Sequence, residues 1–115
     1  MFRKLLRGKI HGAIVTGADL HYEGSISIDV DLLDASGIAP FESVHVWNVT
    51  NGERFETYAI ESPSGSGEIL LNEAAARRAQ VGDQVIIAAY AWLTAEDLAS
   101  HKPKIVLLQD RNRQK

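Results

Sequence analysis

The strongest constraint on this chain lies between positions 43 and 60. Residues 43–50, SVHVWNVT, put Val44, Val46 and Asn48 on one parity and His45, Trp47 and Val49 on the other. Period-two patterning of this kind assigns one set of side chains to each face of a strand. Asn51-Gly52 follows at once. That pair is the strongest short-range hairpin signal, because both turn positions need positive φ. The return strand is predicted over residues 53–60.

Other segments extend the same pattern. Residues 84–91, QVIIAAYA, are a continuous apolar run, as expected of a strand buried on both faces. Further strands are predicted over 9–16, 68–71 and 104–109. Residues 31–37 read as a short helix stopped by Gly37. Residues 94–99 read as another, with Thr94 and Asp97 forming a capping box. Asn72 is placed to cap a brief helix over 73–78, with Glu73 near its positive end. The loop at 61–67, ESPSGSG, is flexible by composition, and the basic ends read as solvated. Many short strands with two or three short helices indicate a small β-barrel with helical plugs.

Composition narrows the function classes. At 115 residues the chain is one domain. Its net charge of −3 argues against a polyphosphate partner, and hence against nucleic acid. No apolar run approaches the roughly 18–20 residues of a membrane helix, and MFRKLLRGK lacks the apolar centre of a signal peptide. Cysteine is absent, which excludes disulfides and thiol catalysis and fits the cytoplasm. His11, His21, His45 and His101 lie on separate segments with no metal-ligand spacing. No GxSxG elbow, P-loop or GxGxxG is present. Judged singly, Gly24-Ser25 is an ordinary loop-to-strand junction, Arg54 an exposed strand charge, and Tyr58 a packing tyrosine.

Taken in order, however, the motifs are specific. His21-Tyr-Glu-Gly-Ser25 resembles the self-processing site of the pyruvoyl-dependent L-aspartate α-decarboxylases. Lys9-Ile-His11, Trp47-Asn-Val-Thr-Asn-Gly52, Arg54, Thr57-Tyr-Ala-Ile60, Asn72, Ala74-Ala-Ala76 and Val81-Gly-Asp83 follow that family's order and spacing. The resemblance covers roughly residues 1–100. It implies a six-stranded double-psi β-barrel assembled as a homotetramer, acting on L-aspartate to give β-alanine and CO₂ for pantothenate and coenzyme A.

The resemblance also implies a covalent cofactor made from the chain itself, with neither metal nor pyridoxal phosphate. The Ser25 hydroxyl would attack the Gly24 carbonyl to give an ester. Elimination and hydrolysis would then leave a pyruvoyl group at residue 25, which condenses with the substrate amine as a Schiff base. Residues 1–24 become the β-chain and residues 25–115 the α-chain, four of each per tetramer. Gly24 suits such a site, because without a Cβ it tolerates a strained backbone.

Thr57 matches the residue that stabilises the oxyanion of cleavage, with Asn72 nearby, and Tyr58 matches the proton donor. Arg54 and Lys9 match carboxylate contacts, the former able to bind bidentately. His11 matches a further position near the site. Glu73, Ala74 and Ala75 resemble the substrate-contacting turn, and Trp47 and Tyr22 match pocket walls. Many members carry glycine where Glu73 stands here, so its carboxylate faces an anionic substrate if it turns inward. An unprocessed barrel acting as a binding or scaffold module is the alternative reading. A small barrel that binds DNA is a more distant one, opposed by the net charge.

Overall fold

The structure, a computed structural model, describes residues 1–21 and 24–115. Nine strands occur among the described residues: β1 (Phe2–Ile14), β2 (Gly17–Asp19), β3 (Ser25–Asp29), β4 (Ser43–Asn48), β5 (Arg54–Ser62), β6 (Ile69–Asn72), β7 (Gln84–Thr94), β8 (Lys104–Gln109) and β9 (Arg113–Gln114). They are joined in the order β2-β6-β3-β5-β4-β7-β1-β8-β9. Only Val15 and Thr16 separate β1 from β2, yet the two lie far apart in that order. The sheet therefore curls back on itself. Thr16 helps to close the turn: its N–H donates to the Ile69 carbonyl at 2.9 Å, and its Oγ1 accepts from the Ile69 N–H at 2.9 Å.

The mainly β class with short helices is the one expected from the sequence. Setting aside the short β2 and β9, and β8 on the flank of β1, leaves six strands. Parallel pairings (β3 with β5, β1 with β8, β2 with β6) mix with antiparallel ones. The expected hairpin joins β4 to β5, with Trp47 opposite Arg54 and His45 opposite Glu56, but its loop runs over the five residues 49–53 and only Gly52 of the Asn51-Gly52 pair takes positive φ, +80°. The two parities read from the sequence separate onto the two faces. Val44, Val46 and Asn48 are buried, whereas His45 and Trp47 are half-buried on the outer face. Ile10, Val15, Ile26, Ile28, Val85 and Ile87 complete the centre of the core. Burying each such side chain stabilises the fold by about 1.5–3 kcal/mol.

Two helices follow the capping logic read from the sequence. Helix α1 (Val30–Ser36) starts at Asp29, whose carboxylate accepts from the Asp31 N–H, and ends at Gly37 with φ +72°. Helix α2 (Ala95–Leu98) has the complete Thr94–Asp97 capping box.

Several expectations are corrected. The N-terminal basic segment is solvated at Arg3 and Lys4 as expected, but it is part of β1, and Arg7 is bonded to the Gly37 carbonyl and Glu42. The run at 84–91 is buried on both faces only at its middle, where Ala88 is covered, while Ile86 and Tyr90 are half-buried on the outer face. The glycine-rich loop is tied down, because the buried Asp29 carboxylate accepts from the N–H groups of Gly65 and Gly67 at 3.2 and 2.9 Å. The tail is anchored too. Asn112, 3% exposed, donates to the carbonyls of Ile14 and Gly67 and accepts from the Ile14 N–H.

Candidate active site

Ser25 opens β3, the strand that lies between β5 and β6. Because strand side chains alternate, Ser25 and Ser27 share one face while Ile26 and Ile28 enter the core. The Cα partner of Ser25 on β6 is Asn72. The Asn72 side chain donates from Nδ2 to Ser25 Oγ at 3.0 Å and to Ser27 Oγ at 3.2 Å. Ser25 and Asn72 are 1% and 2% exposed, so this amide–hydroxyl contact is screened from bulk water. The same contact corrects the cap assignment. Asn72 precedes a 3₁₀ helix over Glu73–Arg78 but makes no side-chain cap bond, since its amide is committed to the two serines.

Gly24 borders a cleft of about 230 Å³ with Thr57, Ala74, Ala75, Glu56 and Arg78. Pockets for drug-sized molecules run from about 300 to 1,000 Å³, so this one suits a small metabolite. Thr57 is there because β3 and β5 run parallel with Ile26 beside Ala59. The same register carried back two residues sets Gly24 beside Thr57. Ala74 and Ala75 arrive on the 3₁₀ turn that β6 launches. Glu73 contributes backbone to that turn, and its side chain lies outside the described residues, as does Tyr22.

The remaining expected site residues occupy the other face of the sheet. Arg54, Glu56 and Tyr58 share the outer parity of β5, opposite to Thr57. The Arg54 guanidinium sits 4.8 Å from the Trp47 ring centroid, close enough for a cation–π contact. Together with Lys4, His45, Glu56 and Tyr90 these two line a larger cleft of about 570 Å³. Glu56 and Phe55 border both clefts, which therefore adjoin across β5.

Lys9 lies in one transverse row with Ala88, His45 and Glu56, so it too faces outward. His11 follows two residues on, beside Leu107, with its Nδ1 buried and unpartnered among the described residues. One chain thus joins Gly24, Ser25, Thr57, Asn72, Ala74 and Ala75, and holds Lys9, His11, Trp47, Arg54 and Tyr58 apart from them.

Behind the site, the Trp-Asn-Val-Thr-Asn-Gly motif has a structural task. Asn48 is 2% exposed and uses its whole amide. Nδ2 donates to the Arg78 carbonyl at 3.1 Å and to Asp83 at 2.9 Å, while Oδ1 accepts from the N–H groups of Thr50 and Asn51. Asn51 adds a second bond to the Arg78 carbonyl. Hairpin, 3₁₀ turn and the start of β7 are locked together behind Ala74 and Ala75. The Asp83 carboxyl is held below its usual 3.8, first by the Asn48 amide and then by the Gln80 N–H. Sequence reasoning overlooked Asn48 and Ser27. For Ser27 a signal existed, namely its position two residues beyond Ser25 on a strand.

Fold and cleft together define a small, mainly β enzyme scaffold of the barrel type, with a buried serine at the head of a strand. A profile of the family described as aspartate decarboxylase matches residues 1–115. The aspartate 1-decarboxylase of Bordetella avium (strain 197N) is 59% identical over 115 residues, covering 100% of this chain and 94% of its own length. That of Leptothrix cholodnii is 57% identical over 113 residues, with 98% and 86% covered. That of Hyphomonas neptunium is 58% identical over 112 residues, with 97% and 95% covered. The chain belongs to the aspartate decarboxylase family.

Proposed function

We propose that this chain is a self-processing, pyruvoyl-dependent carboxy-lyase that converts L-aspartate to β-alanine and CO₂, the β-alanine serving pantothenate synthesis. Family membership over the whole length supports the reaction. The observation that carries the maturation reading is the Asn72 amide on Ser25 Oγ at 3.0 Å, at a strand head whose preceding glycine borders a metabolite-sized cleft.

The residues present fit a cofactor grown from residue 25. Gly24 leaves its carbonyl unshielded by a Cβ, and Thr57 borders the same cleft with a hydroxyl able to stabilise an oxyanion, a role worth about 3–4 kcal/mol elsewhere. Attack by Ser25 Oγ on the Gly24 carbonyl carbon makes an ester. Its opening and hydrolysis leave residues 1–24 and 25–115 as separate chains. A ketone held at residue 25 would supply electrophilic chemistry, an acceptor for the substrate amine and for the electrons left as CO₂ departs. The residues around it do the rest. Ala74 and Ala75 offer backbone N–H groups to a carboxylate, Arg54 and Lys9 supply positive charge for the two carboxylates, and Tyr58 returns a proton to the α-carbon.

Those cations and Tyr58 face away from Ser25 within one chain, which supports a homotetramer in which one copy's outer face meets the Gly24 cleft of its neighbour. Trp92, Ile105 and Leu107 are exposed on β7 and β8, and a small barrel with such apolar surface has good reason to associate. No helix among the described residues is long and apolar enough to cross a membrane, and we place the enzyme in the cytoplasm.

The test is complementation. Ser25→Ala chains should stay uncut and release no CO₂ from aspartate, and Arg54→Ala chains should mature but decarboxylate poorly. Assemblies refolded from the two together should regain activity at mixed sites, read as CO₂ release. Activity in Ser25→Ala alone would defeat the cofactor assignment. Silence of the mixture, with mixed tetramers verified by mass, would defeat the shared site.

A further inference from the structure

We propose that Ser27 is a positioning residue for chain cleavage, acting through Asn72 on the oxygen that departs when the ester opens. The inference rests on the self-processing reading above. Ser27 is 7% exposed, sits two residues beyond Ser25 on the same face of β3, and accepts from Asn72 Nδ2 at 3.2 Å. A carboxamide nitrogen carries two hydrogens, and here one serves each serine. The second hydroxyl holds the amide plane so that the first hydrogen meets Ser25 Oγ.

Deleting the Ser27 hydroxyl leaves an N–H buried without its acceptor, an arrangement that side chains move to avoid. The Asn72 amide has somewhere to go. It and Ser27 line a further cleft of about 340 Å³ whose wall also includes the acidic residues Asp19, Glu61 and Glu68. Turning toward those acceptors withdraws the donor from Ser25.

The chemistry says which step suffers. In the ester, Oγ links the Gly24 carbonyl carbon to Ser25 Cβ, and the residue 25 nitrogen is a free amine. A base removes the Cα proton, the C–H electrons form a Cα=Cβ bond, and the Cβ–Oγ bond breaks. Both electrons of that bond go to Oγ, which becomes one oxygen of the Gly24 carboxylate. Negative charge therefore develops on the atom to which Asn72 donates, and a preorganised donor stabilises such charge most in the transition state. During the earlier attack the charge grows on the former carbonyl oxygen instead, where a donor at Oγ helps little. Loss of the Ser27 hydroxyl should slow ester opening more than ester formation.

The experiment follows purified full-length precursor through cleavage on denaturing gels, with samples quenched in or without hydroxylamine, which cuts esters but spares ordinary amides. Ser27→Ala should reach the final two chains about tenfold more slowly, the factor expected for losing one positioned hydrogen bond. Chains cut only by hydroxylamine should accumulate, and Ser27→Thr, which keeps the hydroxyl, should process close to the wild-type rate. Where alanine lowers the melting temperature, Ser27→Cys, of similar volume and a poor acceptor, should show the same accumulation. Wild-type cleavage rates in Ser27→Ala, slowing without hydroxylamine-sensitive chains, or equal slowing in Ser27→Thr would each overturn the inference. Failure of the wild-type precursor to cleave would instead overturn the self-processing reading.

Discussion

At the scale of single residues, adjacent positions on β5 divide the labour. Thr57 faces the Gly24 cleft, and Tyr58, 37% exposed, faces outward. In the proposed reaction Tyr58 serves turnover, since the groups proposed for cleavage, Ser25, Thr57 and Asn72, come from β3, β5 and β6 of one chain. Tyr58→Phe should cleave at the normal rate yet decarboxylate 10²–10⁴-fold more slowly, the usual range for loss of a positioned proton donor. Gel analysis of cleavage alongside aspartate-dependent CO₂ release checks both halves, and failure to mature would reassign the residue. Gly24, Ser25, Thr57, Asn72, Ala74 and Ala75 were singled out from the sequence and lie together in the fold, but their contacts were not legible there. Asn72 has the residue type and position of a helix cap, and only the pairing of β3 with β6 turns its amide toward two serines. Asn48 was hidden for the same reason, since its partners Arg78 and Asp83 are thirty or more positions away.

At the scale of elements, the Asn48–Asp83 contact couples the hairpin to the start of β7. The Asp83 carboxyl titrates below its usual 3.8 in the folded chain. Its stabilising effect is therefore complete above 3.8 and is lost as pH falls below 3.8 through the folded value. Asp83→Asn should be less stable than wild type at neutral pH, and the gap should narrow in acid below 3.8, as followed by urea unfolding. A gap that stays constant across that range would contradict the assignment. Elements defined by local chemistry were the ones the sequence revealed best. Residues 104–109 form β8 as predicted, Gly37 stops α1, and Thr94 with Asp97 caps α2. Elements held by distant partners were obscured. Nothing local in FRKLLRG announces a strand, and its pairing is supplied by residues 89–94 of β7. The ESPSGSG loop looks free until Asp29 binds two of its N–H groups.

At the scale of the whole molecule, curling the sheet puts β3 beside β5 and makes a cleft from positions 24, 57 and 74–75, which no local pattern relates. The same curl turns Arg54, Lys9 and Tyr58 outward, toward where a neighbouring copy would sit. Assembly and turnover are thus linked in this account, and everything downstream depends on the chain having opened between Gly24 and Ser25. Intact-mass spectrometry of the purified, active protein measures that directly. The account predicts two species: residues 1–24 ending in a free carboxylate, and residues 25–115 lighter than their sequence by one ammonia. A preparation that decarboxylates aspartate at full rate while containing only the uncut 115-residue chain would contradict it.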